Sequence, residues 1–68
     1  MTDRTPTEAE VYSFMQANPI ILSPSIIAEN IGRSRGAVQN ALSTLRARGE
    51  VNKLDRGKYR ARPGVIDE

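Results

Sequence analysis

Between two stretches of helical periodicity the chain leaves three residues, Gly32-Arg33-Ser34, to end one helix and begin the next. A connection that short cannot let two helices run apart, so they must cross and pack at once. Both sides of the turn carry the marks of helix ends. Ser23 and Pro24 open the first stretch as N-cap and first helical residue. Gly32 closes it in the left-handed conformation, and Ser34 caps the second. Ile27 and Ile31 form the inner face of the helix expected over 24–31, with Ile26 and Ala28 flanking. Val38, Ala41, Leu42 and Leu45 form that of the helix expected over 35–48. Arg46 and Arg48 suit its last turn, where cations offset the helix dipole, and Gly49 ends it. Ala28 lies where the two helices come closest, and a small side chain permits that approach.

A third helix is expected upstream, over 5–18. Thr5 is its N-cap, Pro6 its first residue and Glu8 the returning half of a capping box. Val11, Phe14, Met15 and Asn18 share one face, Tyr12 lies off it, and Asn18-Pro19 ends the helix. Ile20-Ile21-Leu22 is too short for a helix and fits a brief extended segment at a sheet edge. After Gly49 the period changes. Lys58, Arg60 and Arg62 alternate with Tyr59 and Ala61, which makes a strand with one basic and one apolar face. Val51 to Leu54 is its expected partner, with Asp55-Arg56-Gly57 as a three-residue loop. Val51 and Leu54 have opposite parity, so a bulge or an early exit is required. The hairpin spans 51–62, and a loose tail is expected over 63–68. The result is one domain, 1–68, mostly α with a small β element.

The chain must hold that fold without staples. It has 68 residues and neither cysteine nor histidine, so disulfides and Cys/His zinc sites are excluded. A chain of this size buries roughly 60% of its unfolded surface. The same composition argues against an enzyme: there is no histidine or cysteine for acid–base or nucleophilic work, no glycine-rich phosphate loop and no paired acids in a plausible cleft. No cofactor, metal or catalytic residue is expected. The longest apolar run, Ile20 to Leu22, cannot span a bilayer, and the polar, acidic start is not a secretory signal. A soluble cytoplasmic protein with no membrane partner is the expectation.

Charge is distributed unevenly. From Arg33 to Arg62 nine Lys/Arg stand against two acids, Glu50 and Asp55, for +7; the rest of the chain carries one cation and six acids, for −5. Such polarity fits a face that meets a polyanion. At 100° per residue, the side of the 35–48 helix opposite its apolar stripe holds Gly36, Asn40 and Ser43, with Gln39 beside them and Arg35 and Arg46 flanking. It has no acid and no large apolar group. Amide and guanidinium groups of this kind read base edges, Gln and Asn pairing with adenine and Arg with guanine. Gly36 is out of place in a helix by about 1 kcal/mol relative to alanine. Its missing side chain would let the helix N-terminus approach a phosphate or base edge.

The run "SIIAENIGRSRGAVQNALSTLRARGEV" followed by "DRGKYRAR" resembles the winged helix-turn-helix family, small transcription regulators of bacteria, archaea and their viruses. The match rests on Ile27, Ala28, Ile31, Gly32, Ser34, Val38, Leu42, Leu45, Gly49 and Val51, joined directly to a glycine-turned basic hairpin. The resemblance implies a three-helix body with the 35–48 helix in the DNA major groove and the hairpin, the wing, along the backbone or minor groove. By position it places Arg35, Gly36, Gln39, Asn40 and Ser43 toward the groove; Arg33, which adds charge to the same backbone, Ser34 before the helix and Arg46 on its flank complete the candidate DNA-binding set there. In the wing the set is Lys53, Arg56, Lys58 and Arg60. Double-stranded DNA is then the expected partner, and a homodimer on a palindromic site the expected form, with Tyr12 or the Gly64–Glu68 tail as candidate dimer contacts. No small-molecule effector is expected, and recognition of RNA or of an unusual DNA form is a third, weaker option. Family readers of left-handed DNA typically place an Asn and a Tyr where this chain has Gln39 and Ser43. The alternative is a winged-helix module that binds another protein.

Overall fold

The structure, a computed structural model, describes residues 4–62. Its helices begin where side-chain oxygens meet otherwise unpaired N–H groups. The Glu8 N–H donates to Thr5 Oγ1 at 3.1 Å, and Glu8 Oε1 accepts from the Thr5 N–H, the reciprocal pair expected of a capping box. Ser23 Oγ accepts from the Ile26 N–H and Ser34 Oγ from the Ala37 N–H. The helices run α1 Pro6–Ala17, α2 Pro24–Ile31 and α3 Arg35–Ala47. Thr5, Asn18 and Arg48 are therefore caps rather than helical residues. Asn18 departs from its expected place on the apolar stripe. Its Nδ2 donates to the Phe14 carbonyl at 2.8 Å, satisfying an end that the following proline leaves open.

Gly32 makes the turn possible. With φ 72° and ψ 35° it is left-handed, and both its own N–H and that of Arg33 donate to the Ala28 carbonyl, at 2.9 and 3.1 Å. Ala28 is buried, in the core rather than flanking it, while Ile31 is only half-buried and Ile26 faces out. α1 packs on α3, and α2 packs on both. Val11, Met15, Leu22, Ile27, Ala28, Val38, Ala41, Leu42, Leu45, Val51 and Ala61 form one core, flanked by Tyr12, Phe14, Ile31 and Tyr59. No polar or charged residue is buried among those described.

The hairpin, β1 Val51–Asp55 and β2 Lys58–Ala61, follows α3 directly. It pairs Val51 with Ala61, Asn52 with Arg60, Lys53 with Tyr59 and Asp55 with Lys58. The register slips between Lys53 and Asp55 and leaves Leu54 unpaired as a bulge, one of the two ways out that the parity allows; Leu54 stays exposed rather than joining Val51 in the core. Asp55 itself pairs, so the expected three-residue loop is shorter by one. Arg56 and Gly57 make the turn, Gly57 at φ 70°. Leu22 joins the outer side of β2 through two bonds with Tyr59, 2.7 and 2.8 Å, as the expected extended segment. Three helices and a C-terminal antiparallel hairpin make the winged helix layout: mostly α, with a small β element. No described helix is long and apolar enough to cross a membrane. The expected tail, including Gly64–Glu68, lies outside the described residues.

Candidate nucleic-acid interface

Helical geometry divides α3 sharply. Val38, Ala41, Leu42 and Leu45 are buried, and Arg35, Gly36, Gln39, Asn40, Ser43 and Arg46 are all exposed. The core, by burying one stripe, fixes the direction in which these six residues point. A Cβ at Gly36 would meet nothing within 4 Å. The described fold therefore has no need of a glycine there, in contrast to Gly32 and Gly57, whose positive φ does require one.

The two flanks of the exposed face differ. Asn40 borders a groove of about 330 Å³ whose other wall is the first turn of α1, with Thr5, Thr7 and Glu8 facing Ala37, Ala41 and Thr44. Gln39, one residue and 100° away, lies toward the flank of Arg35 and Arg46. Ser34 serves first as the N-cap: its oxygen accepts from the Ala37 N–H, which leaves its O–H and one lone pair to offer.

Arg33 is not the free cation its sequence neighbourhood implies. Its Nε donates to Glu10 Oε1 at 2.8 Å and its Nη2 to Oε2 at 3.2 Å. The hydrogen bond, helped by the opposite charge, holds the Glu10 carboxyl below its ordinary value and raises Arg33 above its own. Nothing in the spacing announces this pair, because 23 residues separate the partners. A second pair also escapes a sequence reading. Arg4 Nη1 and Nη2 donate to Glu50 Oε1 and Oε2 at 2.8 and 2.7 Å, and the guanidinium lies 4.2 Å from the Tyr12 ring centroid. That hydrogen-bonded fork lowers the Glu50 carboxyl and raises Arg4. It ties the start of α1 to the base of the hairpin and lies over the ring of Tyr12, which stays half-exposed off the apolar stripe, as expected.

On the hairpin, Arg56 at the turn, Lys58 and Lys53 are exposed. The Lys53 ammonium leans over the Tyr59 ring at 5.9 Å. Arg60 is half-buried and less available than its place in the alternation implies. Arg62 Nη1 donates to the Gly49 carbonyl at 3.2 Å, beside the end of α3. Both acids of the +7 segment are engaged, Glu50 by the distant Arg4 and Asp55 by the Arg56 N–H at 2.7 Å. The exposed face of α3 thus has Arg35 and Arg46 along one flank, Asn40 at the other, and no carboxylate of its own. Among the described residues no three His, Cys, Asp or Glu side chains gather where a metal could be held. Comparisons with family models, with curated proteins and with solved structures find no match to this chain.

Proposed function

We propose that this chain is a sequence-specific, double-stranded-DNA-binding transcriptional regulator of the winged helix-turn-helix kind. In this reading α3 enters the major groove, with Arg35, Gly36, Gln39, Asn40, Ser43 and Arg46 toward the bases and adjoining phosphates. The wing lies along the backbone or minor groove through Lys53, Arg56 and Lys58. One observation carries it: five side chains with the chemistry of base and phosphate recognition, with Gly36 among them, are exposed together on the side of the helix away from its buried stripe. Blocking a site by occupancy needs nothing beyond such a module, so the regulator acts as a repressor in the cytoplasm, on the nucleoid. A homodimer on a palindrome would set half-site centres about 10 bp apart, or a multiple of that.

Titrating labelled random-sequence duplex at two salt concentrations is the test. Log affinity should fall against log salt with a slope of about −0.9 for each phosphate neutralised. Selection from random duplexes should then return a motif whose symmetry reports the stoichiometry. Absence of binding at low salt would remove the proposal. It would leave the second reading, a protein-interaction module, which has its own observation. Ile20, Ile21 and Ile26 are 57, 52 and 47% exposed within seven residues of chain that carry no charge.

A further inference from the structure

Arg33 stands apart from the other cations around α3. It lies in the turn that delivers the helix, two residues before Arg35, yet its guanidinium is joined by two hydrogen bonds to a carboxylate of α1. Among the described residues Arg35 and Arg46 have no acidic partner. The pair is open to solvent, with side chains 37% exposed on Arg33 and 44% on Glu10. A pair so exposed stabilises a fold weakly. A polyanion brought to the N-terminus of α3 can therefore compete with Glu10 for the same guanidinium.

We propose that Glu10 limits the affinity of the α3 surface for DNA by holding Arg33 in a neutral pair, so that Arg33 contacts a phosphate only where that pair opens. This rests on the DNA reading of α3. A phosphate contact contributes through the condensed counterions it releases, and a guanidinium already matched by a carboxylate adds less of this than a free one. Where the pair opens, Glu10 is left as an unmatched carboxylate next to the turn before α3, which adds to the cost of the contact. The opposing role is that the carboxylate aims Arg33 at a phosphate. In that case its removal weakens binding, because the long side chain loses its preset geometry. The two roles predict opposite signs.

The experiment uses the full chain and one labelled duplex, titrated across a salt series with wild type, Glu10→Gln, Arg33→Ala and the double variant. Gln keeps the helix propensity of Glu, so folding is preserved, and a thermal melt of each variant checks it. Glu10→Gln should bind roughly threefold more tightly at low salt. Its log–log salt slope should be steeper by about 0.9. Arg33→Ala should cost more affinity in the Glu10→Gln background than in wild type, which separates release of Arg33 from a general gain of positive charge. Glu10→Ala should reproduce the gain with a different side chain. Equal or weaker binding by both Glu10 variants overturns the inference alone. Failure of wild type to bind any duplex at low salt overturns it together with the DNA reading.

Discussion

α2 and α3 are built alike and face outward differently. Each begins with a serine cap, and each buries one stripe in the same core. Outward, α2 shows Ser25, Ile26, Glu29 and Asn30, with Asn30 Nδ2 bonded back to its own helix at the Ile26 carbonyl. α3 shows Arg35, Gly36, Gln39, Asn40, Ser43 and Arg46. The inner stripes answer to packing, where an added or lost methylene is felt. The outer faces are under no such demand, so their divergence reflects what each helix meets. The buried stripe of α3 carries stability, and if the proposed function holds its exposed face carries recognition, so substitutions should separate the two.

The hardest test of that separation is Leu45→Ala. Leu45 is fully buried, and its truncation should cost about 2–5 kcal/mol in chemical denaturation. In so small a domain that is a large share of the total. Next comes Gln39→Ala on the opposite side. The midpoint of unfolding should stay put, while affinity for a selected site falls by about 1–3 kcal/mol and discrimination relaxes at one base pair. If Gln39→Ala melted the domain, or Leu45→Ala weakened DNA binding without touching stability, the two sides of α3 could not be told apart as claimed.

Gly36→Ala sharpens the comparison further because its two effects should have opposite signs. The position is helical and a Cβ there meets open space, so alanine should stabilise the fold by up to about 1 kcal/mol. If the helix N-terminus approaches DNA closely at this point, the same methyl group lowers affinity. A variant that is more stable and binds more weakly is the expected result. One that gains stability at unchanged affinity would show that Gly36 is only tolerated in the first turn.

Much of this architecture is legible in the chain because the deciding signals are local. Thr5, Ser23 and Ser34 mark helix starts within three residues of their partners, and Gly32 and Gly57 mark turns by their own backbone needs. The irregularity at Leu54 is half legible: parity asks for a bulge or an early exit, and the fold takes the bulge with Leu54 exposed. The exposed set on α3 follows from period alone. The ion pairs do not, since Arg33–Glu10 and Arg4–Glu50 span 23 and 46 residues and no pattern joins them. Charge counted along the chain therefore overstates the free positive charge before α3. It places Arg33 beside Arg35 as an equal, whereas the tertiary fold gives only one of them a carboxylate.

Those two pairs supply the smallest effect, one that contrasts a front with a back. Glu10 and Glu50 both have carboxyl groups held below the ordinary 4.5 by an arginine, so each is deprotonated more readily in the folded than in the unfolded chain. A lowered folded value means that the stabilisation is complete above about pH 4.5. It is lost as pH falls through the folded values beneath that. The Arg4–Glu50 fork is the less exposed, at 20 and 30% against 37 and 44%, and it is stacked on Tyr12. Arg4→Ala should therefore cost on the order of 1 kcal/mol at pH 7, and the cost should shrink on acidification. Glu50→Gln should flatten the acid limb of a stability–pH curve more than Glu10→Gln does. Under the DNA reading the order should reverse, because Glu10 holds Arg33 in the turn before α3, whereas Glu50 is matched by Arg4, which lies outside the proposed contact set. Denaturation curves from pH 3 to 7, set beside DNA titrations of the same variants, read both orders. A shared ranking in the two measurements would mean that the ion pairs act only through the fold.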